Sequence, residues 1–197
     1  MRSLSKIRKK LVEAARMAYD RGLVSATGGN LSFRFPNEES IIIKPSNVSF
    51  RDLEPENLLV MDFNGRIIDG MGKPSKEWRF HVGIYKTRRD VNSVLHVHPP
   101  ATTTFSIIGE ELPLLTAQSK LILKRVPIVK FAPPGSKTLA ELVKKAFIDR
   151  AVKAALLERH GAVAVGRDPK EALNNADLLE ETAKIALLFL LLKRSRR

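Results

Sequence analysis

Two histidines one residue apart, His96-Val97-His98, are the sharpest chemical signal in the chain. On a β-strand, residues i and i+2 project from one face, so the two imidazoles share a surface and can converge on one ion. Taken alone, the pair also reads as ordinary polar surface. A third histidine stands in Arg159-His160-Gly161, between two short apolar runs, where a side chain at a strand tip can reach into a cleft or simply serve a turn. The chain has four histidines and no cysteine. Disulfides and thiolate sites are therefore excluded, and three histidines at strand ends point to a divalent ion held by imidazole nitrogen.

Glu77 and His81 are spaced i,i+4, which stacks them on one face of a helix. His81 is open to two readings, a further ligand or a packed, hydrogen-bonded helix histidine, and the second is preferred. Glu77 suits a first-turn acid, or a carboxylate in a partly apolar cleft that exchanges a proton near neutrality. Thr27-Gly28-Gly29-Asn30 has the form of a backbone cradle for an anion, although paired glycines also make plain turns. Lys44-Pro45-Ser46-Asn47 and Lys73-Pro74-Ser75-Lys76 each offer hydroxyl and ammonium donors, so three short loops could meet on one phosphate.

The elements that must position these groups are legible in outline. Leu4, Ile7, Leu11, Ala14, Ala15 and Ala18 form the stripe of an amphipathic helix closed near Gly22. Strand-like runs follow at 31–35, 41–44, 58–63 and 66–68, the last two joined by Asn64-Gly65, which predicts a type I′ hairpin turn with positive φ at both residues. Ser75 reads as the N-cap of a helix through about residue 88. A strand is expected over 91–98, a helical segment over 102–108 and a strand over 126–131. Ser136 then caps a helix through 147, and two strands at 154–158 and 162–165 flank His160. Asp168-Pro169-Lys170-Glu171 combines an N-cap, a first-position proline and a third-position acid, opening a long last helix. No internal repeat or linker divides the chain. Residues 1–197 are expected to form a single domain with mixed, layered α and β structure.

Composition bounds the partners. The chain has 197 residues, 44% of them hydrophobic, enough for one sizeable core. Its longest wholly apolar run, residues 185–192, is far short of the roughly 20 residues that span a bilayer, and the N-terminus lacks the apolar stretch of a secretory signal. A cytoplasmic protein with no membrane partner is expected. The net charge of +13 is concentrated at the ends, in Arg2, Lys6, Arg8, Lys9 and Lys10 and in Lys193, Arg194, Arg196 and Arg197. The body between them is only mildly basic and aromatic residues are few, so nucleic acid is not the expected partner and a small anionic substrate fits better. A single glutamine, no cysteine and abundant charge suit a thermophilic protein.

Five motifs in order, residues 27–32, 44–46, 74–81, 96–98 and 159–161, resemble the class II aldolase/adducin family, and the likeness spans nearly the whole chain. The resemblance implies an α/β fold of three α/β/α layers around a mainly antiparallel sheet, assembled as a fourfold-symmetric homotetramer. It also implies a zinc-dependent lyase, with one Zn2+ per chain, that cleaves a ketose 1-phosphate such as L-fuculose 1-phosphate to dihydroxyacetone phosphate and an aldehyde. The family's metal histidines fall on His96, His98 and His160, and its acid/base carboxylate on Glu77. Its phosphate-binding positions fall on Asn30, Ser46, Asn47, Ser75 and Lys76. Two loops depart from the bacterial pattern, with Ser46-Asn47 in place of Thr-Gly and Ser75-Lys76 in place of Ser-Ser. The site tyrosines of the bacterial members have no evident counterpart, since Tyr19 and Tyr85 are the only tyrosines. Other activities on the same scaffold are a pentulose-phosphate 4-epimerase, a sugar-phosphate dehydratase and a non-catalytic adducin-like binding protein. Glutamate at position 77, where epimerases carry aspartate, and the retained histidines favour the aldolase.

Overall fold

The computed structural model describes residues 2–35 and 38–195. An eight-stranded sheet forms the centre, in the order β4-β3-β2-β1-β5-β8-β7-β6. Its strands are β1 (Asn30–Arg34), β2 (Ser40–Ile43), β3 (Leu59–Asp62), β4 (Ile67–Asp69), β5 (Ser93–Val97), β6 (Ile128–Val129), β7 (Ala154–Leu157) and β8 (Gly161–Gly166). All neighbours run antiparallel except β6 and β7.

Period-two alternation divides the side chains between the faces. Leu95 and Val97 of β5, and Ala162 and Ala164 of β8, pack beneath α1 (Arg2–Asp20), α3 (Pro100–Ile108) and α6 (Pro169–Arg194). Val94, Val163 and Val165 turn the other way, toward α2 (Trp78–Thr87) and α5 (Lys137–Ala146). The result is the three-layer α/β/α arrangement expected, with the histidine-bearing strand β5 near the sheet centre between β1 and β8. Asp168 and Ser136 cap α6 and α5 through bonds from the Glu171 and Leu139 amides, as their sequence signals predict.

Two local expectations are corrected. At Asn64-Gly65 only Gly65 has positive φ, so the turn is not type I′. The Asp62 carboxylate instead accepts from the amides of Asn64 and Arg66, closing a longer loop that a two-residue turn would leave no room for. Ser75 does not cap α2: the N-cap position is Glu77, whose side chain makes no cap bond. The Ser75 hydroxyl reaches only the Glu77 amide, at 3.4 Å, and the Glu77 carboxylate is turned away from its own helix. A short helix over 117–122, α4 (Ala117–Ile122), was not anticipated; Thr116 and Ser119 cap it reciprocally, a box built with serine where glutamate or glutamine is the usual signal.

The segment after His98 is held from α6. Pro99 offers α3 no side-chain cap, and buried Glu180 takes that role by accepting from the Ala101 and Thr102 amides and the Thr102 hydroxyl. At the N-terminus, Arg8 pairs with Asp69 and donates to the Pro55 carbonyl, so part of the basic end is spent inside the fold. Arg196 and Arg197 lie outside the described residues.

Candidate metal and phosphate site

Strand β5 delivers His96 at full burial and His98 one residue past its end, on the same face. The His98 amide donates to the Leu23 carbonyl, which fixes the chain where it leaves the sheet. His160 sits in the tight β7–β8 turn, with Arg159 at φ 56° and the His160 amide bonded to the Leu157 carbonyl. Because β8 pairs with β5, this turn returns beside His98. Nitrogen atoms of the three imidazoles all lie within 4.8 Å of one another. The Nδ1–H of His96 donates to the Ala162 carbonyl at 2.9 Å, which leaves Nε2 as the lone-pair nitrogen facing the cluster.

Glu77 closes the group from α2. Its Oε2 lies 3.0 Å from His96 Nε2 and its Oε1 lies 3.5 Å from His160 Nε2. The Asn30 side chain donates to Oε2 at 3.1 Å. A buried carboxylate facing three imidazole nitrogens demands a positive charge at their meeting point, which either a proton on His96 or a cation can supply. Burial alone would raise the Glu77 carboxyl; His96, His160 and the Asn30 amide outweigh it and hold the group ionised, below the usual carboxylate range. Burial and the neighbouring imidazoles push His98 down to about 3 and His160 down to about 4, so both present neutral lone pairs. The donor set therefore fits a divalent ion of zinc type, with Glu77 Oε1 buried and lacking a hydrogen-bond partner beside it.

His81 is not part of that cluster. It is wholly buried, stacked on Phe80 at 4.7 Å between ring centres, and bonded to Asn30 and Ser32. Burial, then the nearby His96, push it down to about 3. Tyr85 is buried too and bonds Ser32, which removes it as a proton donor to substrate.

The three glycine- and serine-bearing loops do meet. An isolated bridge pairs Pro45 with Pro74, the Ser46 amide bonds the Lys73 carbonyl, and the Ser75 amide bonds the Lys44 carbonyl. The Ser46 hydroxyl donates to the Pro74 carbonyl. Asn47 has φ 62°, the conformation in which asparagine substitutes for glycine. The first loop joins through Asn30 and its bond to Glu77. Lys76 is not drawn in: it is exposed and borders a shallow depression with Lys73, Trp78 and Arg79. Lys44, expected as an ammonium donor of the second loop, is instead buried against Phe50 with, among the described residues, only the Pro45 carbonyl for a partner, and burial pushes it down to about 8. Its signal was a lysine following three isoleucines, a cation placed at the end of a buried strand.

Metal-free protein should lose stability as pH falls from about 6.5 toward 4.5. His81, His98 and His160 have folded pKa values depressed below the unfolded one, so in this window only the unfolded chain takes up their protons. His96, raised by Glu77 despite its burial, acts in the opposite sense but mainly above about pH 6.5, since below that it is protonated in both states. A slope approaching about 4 kcal/mol per pH unit near pH 5, about 1.4 for each of the three imidazoles, is expected in urea unfolding of the metal-free chain; a flat profile from pH 7 to 5 would mean that the imidazoles are not held neutral.

The chain is similar to known proteins over nearly its whole length. The sequence profile of the Class II Aldolase and Adducin N-terminal domain matches residues 9–187. An L-fuculose phosphate aldolase of Methanocaldococcus jannaschii is 34% identical over 187 residues, covering 95% of this chain and 99% of that protein. A 5-deoxy-D-ribulose 1-phosphate aldolase of Bacillus thuringiensis is 35% identical, covering 92% of this chain and 84% of its own. A solved L-fuculose 1-phosphate aldolase superposes with a TM-score of 0.87 at 30% identity, over 93% of this chain and 85% of the other.

Proposed function

The chain belongs to the class II aldolase and adducin family, and from that premise we propose that it is a zinc-dependent aldehyde-lyase acting on a ketose 1-phosphate of the L-fuculose 1-phosphate type. The products are dihydroxyacetone phosphate and an aldehyde, and the reaction runs in both directions. One observation carries the reading: an ionised, buried carboxylate and three inward-facing imidazoles share one point next to three joined donor loops.

His96, His98 and His160 hold one Zn2+ per chain, which when bound supplies Lewis acidity toward the substrate's ketone and hydroxyl oxygens. Glu77 moves the proton at the carbon that becomes nucleophilic. In the cleavage direction it returns that proton after the carbon–carbon bond has broken, and in the condensation direction it removes it first. Asn30, Ser46, Asn47, Ser75 and Lys76 bind the phosphate, with Lys76 contributing from the exposed rim. Buried Lys44 adds a positive charge where the loops join, which supports an anionic substrate.

The whole chain acts as one cytoplasmic domain, and four copies assemble. Among the described residues no helix is long and apolar enough to cross a membrane. Support for assembly comes from the end of α6, where Leu188, Phe189, Leu190, Leu191 and Leu192 are all exposed in the single chain, an apolar stretch unsuited to water.

The test is release of dihydroxyacetone phosphate from a panel of ketose 1-phosphates, before and after removal and return of Zn2+. Release from L-fuculose 1-phosphate or a deoxy-ribulose phosphate, lost on chelation and restored by zinc, is the expected result. Isomerised pentulose phosphate would assign an epimerase, loss of water a dehydratase, and no turnover of any member a binding protein.

A further inference from the structure

We propose that His81 is a positioning residue: through Asn30 it holds in place a buried hydrogen-bond chain that ends on Glu77 Oε2 and leaves Oε1 as the oxygen that exchanges the proton. The inference deepens the aldolase reading and rests on it for the role of Glu77. Its four links are Tyr85 to Ser32 at 2.7 Å, Ser32 to His81 Nδ1 at 2.7 Å, His81 Nε2 to Asn30 Oδ1 at 2.5 Å, and Asn30 Nδ2 to Glu77 Oε2 at 3.1 Å.

The direction of each link follows from the last one. An ionised carboxylate only accepts, so the Asn30 atom facing Oε2 is the amide nitrogen. Asn30 then presents its carbonyl oxygen to His81, and His81 Nε2 must carry the hydrogen. A neutral imidazole with hydrogen on Nε2 has its lone pair on Nδ1, so the Ser32 hydroxyl donates there and accepts from the Tyr85 hydroxyl. Every donor points toward Glu77. Turning the Asn30 amide over would set its oxygen against the Glu77 carboxylate whichever tautomer His81 took, a repulsive contact in a place without solvent. Phe80, stacked on His81, holds the ring in the plane that the chain requires.

The consequence falls on the carboxylate. Oε2 is occupied by the Asn30 donor, whereas Oε1 is buried, lies 3.5 Å from His160 Nε2, and has no hydrogen-bond partner among the described residues. In the condensation direction the substrate C–H bond breaks, its proton forms an O–H bond with Oε1, and the electron pair remains on the substrate as the enediolate. Cleavage reverses those changes, so no external reactant is needed.

The experiment uses the zinc-loaded protein and follows deuterium exchange into dihydroxyacetone phosphate in His81→Phe, His81→Gln and His81→Asn. Glutamine places an amide N–H near the position of Nε2, asparagine does not, and phenylalanine keeps the ring without a donor. Loss of an orienting partner should lower kcat for exchange ~10–100-fold in His81→Phe with zinc content within about twofold of wild type, while any rise in KM through loosened Asn30 stays smaller than the fall in kcat. His81→Gln should recover to within about threefold, and His81→Asn should not. Should His81→Phe fail to fold, the glutamine–asparagine pair makes the same comparison. Equal kcat in the glutamine and asparagine variants would overturn the proposal. Imidazole 15N NMR of the wild type gives a reading independent of turnover: hydrogen on Nε2 of His81 is expected, and hydrogen on Nδ1 would overturn it. Wild-type protein that shows the Nε2 tautomer but no exchange would sink the aldolase reading, and with it the role given to Oε1.

Discussion

Glu77→Gln is expected to slow hydrogen exchange into dihydroxyacetone phosphate by at least ~100-fold, the lower end of what a lost general acid/base contributes. The substitution preserves shape. Its amide oxygen can still accept from Asn30, and the three imidazoles that would hold the ion are untouched. What disappears is an oxygen able to take and return a proton. Exchange without any aldehyde is the sharper assay, because it isolates the proton step from everything that the aldehyde side of the reaction requires. Zinc content near wild type together with the slowed exchange would separate an acid/base role from a role in binding the ion. Wild-type exchange in this variant would assign the proton to another group, and the mechanism would be withdrawn.

His96→Ala, His98→Ala and His160→Ala should each lower affinity for a divalent ion by more than ~100-fold, exceeding what loss of a mere outer-shell partner costs, and should remove dihydroxyacetone phosphate release. The three will not be equal in their effect on folding. His96 is wholly buried and adds a side-chain bond from β5 to the Ala162 carbonyl of β8, so its loss leaves a cavity and removes that tie. His98 and His160 sit at the rim and should lower ion content with little change in unfolding midpoint. Metal analysis after dialysis against a limiting chelator, with urea unfolding in parallel, checks both parts. Unchanged ion content in all three variants would remove the basis for a metal-dependent reaction.

How much of this was legible in the sequence follows from the range of the interactions involved. His96 and His98 could be placed on one face because strand alternation is a local rule, and β5 obeys it. The caps of α5 and α6 could be read for the same reason. His160 could be placed at a turn, but its approach to His98 depends on β8 pairing with β5, and no spacing encodes that register. Glu77 was legible as a residue near a helix start; that it occupies the N-cap position without capping, and spends its carboxylate on Asn30 and the imidazoles, is a tertiary fact. The chain from Tyr85 to Asn30 joins residues some 50 positions apart and leaves no local trace. Lys44 was visible as a basic residue, whereas its burial was not, since lysine at a strand end is ordinarily solvated.

The glycines beside the histidines set a limit on how this sequence can drift. A Cβ at Gly28 would come 3.0 Å from His98 Nδ1, one at Gly29 would come 2.8 Å from the His96 carbonyl, and one at Gly161 would come 2.4 Å from the Val97 carbonyl and 2.7 Å from the His98 ring. Bare backbone is therefore the wall behind the imidazoles, and on that side no larger residue can be accepted without moving β5 itself. Adaptation to a new substrate has to enter from the opposite, side-chain-bearing rim. A mutant library aimed at substrate range would do best to hold residues 28, 29 and 161 fixed, and with them the proposed phosphate-binding positions 46, 47, 75 and 76, since the phosphate is common to every substrate of this type.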